Sequence, residues 1–264
     1  MTTLSPNGRW NGRLTSRALP DASESLRGLS ATDRTLLANI WLSQCATERR
    51  VADSFVVVHR ALVELDADPG LIATAERAID DEYRHTELCR VAASEYAGRS
   101  LSEPPLLPMV RPTHPTASSD RVRSCLFVLG QCAFNETFAS AYLDTALACA
   151  EVPFARAAIR ELLSDEVDHS RIGWAFAATL PASERGEVQS WLVDLALCNL
   201  REWRKIALPS VAKGEVVRHG VPPRDRVEEA LLAVIEGVMI PGFERFGFDA
   251  RELRAWHAQG APTD

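Results

Sequence analysis

The sequence predicts an all-α fold, one bundle of four long helices with further helices after it, and three observations point there. Apolar residues recur at spacings of three and four along four long stretches. The 14 glycines and 15 prolines fall mostly between those stretches, so helices are long and loops few. A proline-rich segment divides the stretches two and two. With 264 residues and 46% hydrophobic content, the chain can bury one sizeable core.

The first helix is expected from about Asp33, which can cap it, to about Asp66, with Leu37, Trp41, Cys45, Glu48, Ala52 and Phe55 on one stripe. Pro69-Gly70 closes the connection. The second, from about Leu71 to Tyr96, places Ala75, Ile79, Glu82, His85, Cys89 and Ala92 inward, and Gly98 can end it. Between Arg99 and Thr116 five prolines (104, 105, 108, 112 and 115) predict an extended crossover. Ser119 or Asp120 caps a third helix to about Glu151, with Leu129, Cys132, Ala133, Glu136 and Ser140 inward. Pro153 opens a fourth that aligns Ile159, Leu162, Glu166, His169 and Gly173 and stops before Pro181. Three more helices are expected, near 182–207, 224–240 and 251–257. The chain thus divides into a mobile arm (1–30), a bundle (31–180) and C-terminal helices of the same domain (181–264).

Each bundle helix carries a carboxylate on its apolar stripe, where an unpaired charge is costly. Two helices repeat one pattern, Asp81-Glu82-Tyr83-Arg84-His85 and Asp165-Glu166-Val167-Asp168-His169, whose Glu and His share a face three residues apart. The other two supply Glu48 and Glu136 singly. One ExxH is weak evidence, but the order Glu, ExxH, proline-rich crossover, Glu, ExxH is specific. Four carboxylates and two imidazoles suit two divalent ions such as iron or manganese, and the four carboxylate charges balance two divalent cations.

On these residues the chain resembles the ferritin-like di-iron carboxylate superfamily, whose oxygen-activating members carry the DExRH motif matched by Asp81 to His85. The likeness spans roughly residues 33 to 180. It implies a ferritin-like four-helix bundle in which Glu48, Glu82, His85, Glu136, Glu166 and His169 hold two iron ions, with manganese or a mixed pair as variants. It also implies that Asp81 and Asp165 orient the histidines and that Arg84 pairs with such an aspartate. Cys89, one turn after His85, stands where radical-forming ribonucleotide reductase subunits have tyrosine and some bacterial monooxygenases have cysteine. Ser140, one turn after Glu136, stands where those monooxygenases have a threonine implicated in proton delivery, although a hydroxyl bonded to its own helix accounts for it equally well. Leu162 replaces the third histidine of the arylamine N-oxygenase branch. Trp41 and Trp174, otherwise packing aromatics, fall close enough to the ligand stripes to line a substrate pocket together with Leu162. The other histidines, His59, His114, His219 and His257, read as surface or loop residues.

The resemblance implies a di-iron oxygenase or oxidase that uses dioxygen as co-substrate to hydroxylate or N-oxygenate a small organic molecule, in keeping with specialised metabolism. The rival is a ferroxidase or a manganese-dependent peroxide-handling protein. No flavin or nicotinamide motif appears, so an external electron donor is expected. A net charge of −7 without a dense basic run argues against nucleic acid. No apolar run reaches the ~18 residues of a membrane span. Six scattered cysteines without a CxxC pair read as reduced thiols of a cytoplasmic protein. A homodimer is compatible with all of this.

Overall fold

The computed structural model describes residues 14–109, 114–206, 208–209 and 212–263. Among them the fold is an all-α bundle without strands. Its elements are α1 (Ala22–Ser25), α2 (Ala31–Glu64), α3 (Pro69–Ala97), α4 (Asp120–Val128), α5 (Glu136–Cys149) and α6 (Pro153–Thr179), then α7 (Ala182–Val188), α8 (Leu192–Arg204), α9 (Glu215–Arg218), α10 (Arg224–Val234), α11 (Ile240–Arg245) and α12 (Arg251–Ala258). Two π-helical segments are built into this run, Leu129–Asn135 between α4 and α5 and Ile235–Met239 between α10 and α11.

Local chemistry sets the helix ends. Ser30, not Asp33, caps α2: its hydroxyl accepts the Asp33 N–H at 3.1 Å while the Asp33 carboxylate accepts the Ser30 hydroxyl at 2.7 Å. Asp68 caps α3 by accepting the Gly70 N–H at 2.8 Å, with Pro69 in the first turn. Gly98, at φ +67°, ends that helix in the left-handed region. Ser119 caps α4, and Pro153 opens α6. Between α3 and α4 the described residues form no helix, and residues 110–113 of that crossover lie outside them.

α2 packs along α3, and α6 packs against α3, α5 and the first π segment. The approach of α6 to the π segment requires glycine, because a Cβ on Gly173 would sit 2.2 Å from the Ala133 backbone nitrogen. α8 packs on the π segment, α10 on α5 and α12 on α8, so one apolar core runs from Ala22 to Ala261. No helix among the described residues is long and apolar enough to cross a membrane. All six cysteines are free thiols.

Several expectations change. Residues 1–13 of the expected mobile arm lie outside the described residues. At the start of the described residues the Leu14 carbonyl accepts from Arg84 at 3.2 Å, and the Ser16 N–H and hydroxyl donate to Glu161 at 2.7 and 2.8 Å. The third helix is interrupted by the π segment, and the helix expected over 182–207 breaks at a 3-10 turn, Gln189–Trp191. His219 and His114 are buried: His219 bonds Tyr96, and His114 packs edge-on against Trp191 at 5.1 Å.

Candidate metal centre

Six side chains meet in mid-bundle: Glu48 from α2, Glu82 and His85 from α3, Glu136 from the first residue of α5, and Glu166 and His169 from α6. Each is at most 3% exposed. Their donor atoms form two overlapping groups, each within 4.8 Å: Glu48, Glu82, His85 and Glu166 in one, Glu82, Glu136, Glu166 and His169 in the other. Glu82 and Glu166 belong to both, whereas Glu48, Glu136 and the two histidines each belong to one. The helices explain this symmetry, since a spacing of three stacks each Glu with its His and each ExxH pair faces the other across α3 and α6.

Both histidines turn Nδ1 inward. His85 Nδ1 lies 3.5 Å from Glu82 Oε2 and 3.3 Å from Glu166 Oε1, and His169 Nδ1 lies 2.9 Å from Glu82 Oε1 and 3.1 Å from Glu166 Oε2. Outward, each Nε2 faces the aspartate of the opposite motif, His85 to Asp165 at 3.0 Å and His169 to Asp81 at 3.6 Å. Arg84 ties this outer layer together. Its guanidinium bonds Asp165, Glu161 at 3.0 Å and the Leu14 carbonyl, and lies 3.5 Å from Asp81. The Asp165 carboxylate behind His85 fixes which of its nitrogens carries the proton, whereas His169 Nε2, with Asp81 just out of reach, has no hydrogen-bond partner.

Protein groups alone do not satisfy this cluster. Both oxygens of fully buried Glu82, and Nδ1 of His85, have no hydrogen-bond partner. Burial, reinforced by the neighbouring Glu82, pushes the Glu48 carboxyl well above the usual range, and burial with Glu166 and Glu82 does the same to Glu136. Burial opposes charge on His85 and His169 too, but the facing carboxylates prevail and hold both well above the usual imidazole value, led by Asp165 for His85 and Asp81 for His169. At Glu166 the two imidazoles override burial and lower the carboxyl. Orphaned carboxylate oxygens and imidazole nitrogens grouped within 4.8 Å fit divalent cations, whose charge would replace these protons.

The ligand carboxylates also receive amide hydrogen bonds. Gln44, one turn before Glu48 on α2, donates to it. Gln131 and Asn135 both donate to Glu136, Asn135 at 3.2 Å, and the Trp203 indole N–H donates to the Asn135 carbonyl at 3.1 Å. Glu136 follows Gln131 by five positions. That spacing puts two side chains on one face of a π-helix but not of an α-helix.

A cavity of about 190 Å³ reaches the cluster from the side of α2, α5 and α8. Glu48, Glu136 and Glu166 lie on its lining, with Tyr142, Trp203 and Ile40 among its apolar walls. A narrower pocket of about 30 Å³ shares Ile40, Gln44, Tyr142 and Leu143 with it, and there Trp41 and Leu162 are found. Trp174 lines neither. Its indole N–H donates to Thr137 at 3.1 Å and its ring leans on Phe243, so it is a packing residue. Cys89 is fully buried, and burial holds its thiol well above the usual range, unlike a reactive thiolate. Ser140 does not line the cavity, and its buried hydroxyl has no partner, so the self-bonded alternative is not seen either.

Replacing Arg84 by Met should lower metal affinity about 10- to 100-fold by freeing Asp165 and Asp81, with the helical content unchanged. Competition against a coloured chelator measures this, and an unchanged affinity would separate Arg84 from the site. No model of a known protein family matches the chain, and no curated protein matches it.

Proposed function

We propose that the chain is a ferritin-like di-metal oxygenase or oxidase, with iron as the working metal, acting on a small organic molecule. The observation that carries this reading is the cavity whose lining brings Glu48, Glu136 and Glu166 together with Tyr142 and Trp203. A cavity set against the ligands gives an organic substrate a place beside the metals, where proximity makes attack on it unimolecular. Two ferrous ions held by the six ligands would supply the electrons that activate dioxygen. The chain's own residues supply the rest. Glu82 and Glu166, which belong to both donor groups, would be shared by the two ions. Glu48 and Glu136, oriented by the Gln44, Gln131 and Asn135 amides, would each serve one ion. The apolar core packs around the rest of the cluster. Electrons for repeated turnover come from outside the chain.

The competing ferroxidase reading requires iron to pass through the centre, and iron titration separates the two. Uptake of ferrous iron under air should stop at two per chain, with dioxygen consumption then depending on an added reductant. Oxidation of many ferrous equivalents per chain with mineral formation would overturn the oxygenase reading.

A further inference from the structure

The narrow pocket beside the cavity is apolar on nearly every side, lined by Trp41, Leu143, Ile159, Leu162 and Val221 among others. Gln44, Tyr142 and His219 are the polar residues of that lining. His219 is 1% exposed, and its Nε2 has no hydrogen-bond partner. Its Nδ1 lies 2.8 Å from the Tyr96 hydroxyl, the rings meeting edge-on at 5.4 Å.

The direction of that bond follows from donors and acceptors. The phenol is the more acidic partner and a neutral imidazole nitrogen the stronger acceptor, so Tyr96 donates its proton to His219 Nδ1. Burial raises the Tyr96 phenol, so that proton stays available, and burial lowers His219, which keeps the ring neutral. A neutral imidazole that accepts at Nδ1 carries its proton on Nε2. Nε2 of this lining residue is thus a buried N–H donor with no protein acceptor.

The backbone holds it rigidly. The His219 N–H donates to the Glu215 carbonyl at 3.0 Å, and the Arg218 carbonyl accepts from the N–H groups of Glu151 and Val152 at 2.8 and 3.1 Å. Gly220, at φ +81°, is pressed so closely on α6 that a Cβ would lie 2.2 Å from Ile159 Cδ1. The Tyr96 hydroxyl holds the imidazole in turn.

We propose that His219 is a specificity-determining residue, whose Nε2–H donates to a hydrogen-bond acceptor on an otherwise apolar substrate. The Tyr96 hydroxyl positions that donor. This rests on the reading of the larger cavity as the substrate site, of which the pocket is a side branch through Ile40, Gln44, Tyr142 and Leu143. A branch of about 30 Å³ admits only a group of a few atoms, such as a carbonyl or ether oxygen, while the apolar body remains in the larger cavity beside the metal ligands. An unpaired buried donor rejects a molecule that offers it no acceptor, because the donor then stays desolvated and unbonded.

The test uses two molecules of nearly the same shape, acetophenone with its carbonyl oxygen and α-methylstyrene with a methylene in its place. Affinities for the zinc-loaded full chain are measured by ligand-observed NMR, where zinc removes any dependence on dioxygen chemistry. The wild-type chain should prefer acetophenone by about tenfold, the scale of one buried hydrogen bond. His219→Phe should bring the two affinities together. Tyr96→Phe should narrow the gap, because the tautomer is no longer fixed, and nitrogen-15 shifts of labelled histidine should report that loss directly. Equal wild-type affinities, absence of binding by both molecules, or an unchanged preference in His219→Phe would each overturn the assignment. A preference for acetophenone that vanishes in His219→Phe, in a chain that consumes no dioxygen, would uphold the recognition role and discard the oxygenase reading alone.

Discussion

Glu82→Ala should abolish binding of both metal ions, whereas Glu48→Ala should leave about one bound per chain. The difference comes from sharing. Glu82 contributes to both groups of donor atoms, but Glu48 contributes only to the group with His85. Removing a shared carboxylate takes one ligand from each ion and leaves three carboxylates against two divalent charges. Removing Glu48 leaves the group of Glu82, Glu136, Glu166 and His169 whole. His169→Ala should resemble Glu48→Ala with the opposite ion lost, and His59→Ala should change nothing, since His59 belongs to neither group. Metal analysis of dialysed protein reads all four variants. Equal loading in Glu82→Ala and Glu48→Ala would show that the two groups do not act as a pair.

Stripping the metals should lower the melting temperature by more than about 10 °C, and by more at alkaline than at mildly acidic pH. Metal binds the folded chain, so each site at about 1,000 times its dissociation constant adds roughly 4 kcal/mol. A domain of this size gains about 2–4 °C per kcal/mol. The pH term follows from the shifted groups. Glu48 and Glu136 start from 4.5, His85 and His169 from 6.5, and the fold raises all four. A raised group stabilises fully below its unfolded value, and that stability is lost as pH rises through its folded value. The stripped protein should therefore weaken as pH climbs above about 5. Glu166, lowered in the fold, works in the opposite sense, its contribution being lost only as pH falls through its lowered value. The loaded protein has already released the protons of the raised groups, so the gap between the two forms widens with pH. Calorimetry of both forms at pH 6 and pH 8 measures it, and a constant gap would mean that the metals do not displace protons from these groups.

The sequence carries the inner part of this arrangement because it depends on local spacing. Glu82 with His85, and Glu166 with His169, share a face wherever residues 82–85 and 166–169 are helical, and the proline-rich crossover implies that the two helix pairs are joined by a long connection. Helix ends were readable where a single residue decides them, as at Pro153 and Gly98, but Ser30 and Asp33 compete for the same cap and only geometry chooses between them. The amide shell was partly within reach. Gln44 precedes Glu48 by one α-helical turn, whereas Gln131 meets Glu136 only because the intervening turn is π-helical, which an apolar period of 3.6 does not reveal. Trp203 and His219 reach the cavity and its branch through the packing of α8 and the α9 loop. No residue spacing along the chain encodes that packing, and the same reason turned Trp174 from a candidate wall of the pocket into a packing residue.

The six buried side chains are expected to hold two metal ions. Anomalous diffraction at the iron edge, from crystals of the chain loaded with ferrous iron, addresses this expectation directly. Two peaks should appear, one among Glu48, Glu82, His85 and Glu166 and one among Glu82, Glu136, Glu166 and His169, with Glu82 and Glu166 between them. An absence of peaks at these six residues, or iron bound only elsewhere on the chain, would contradict it.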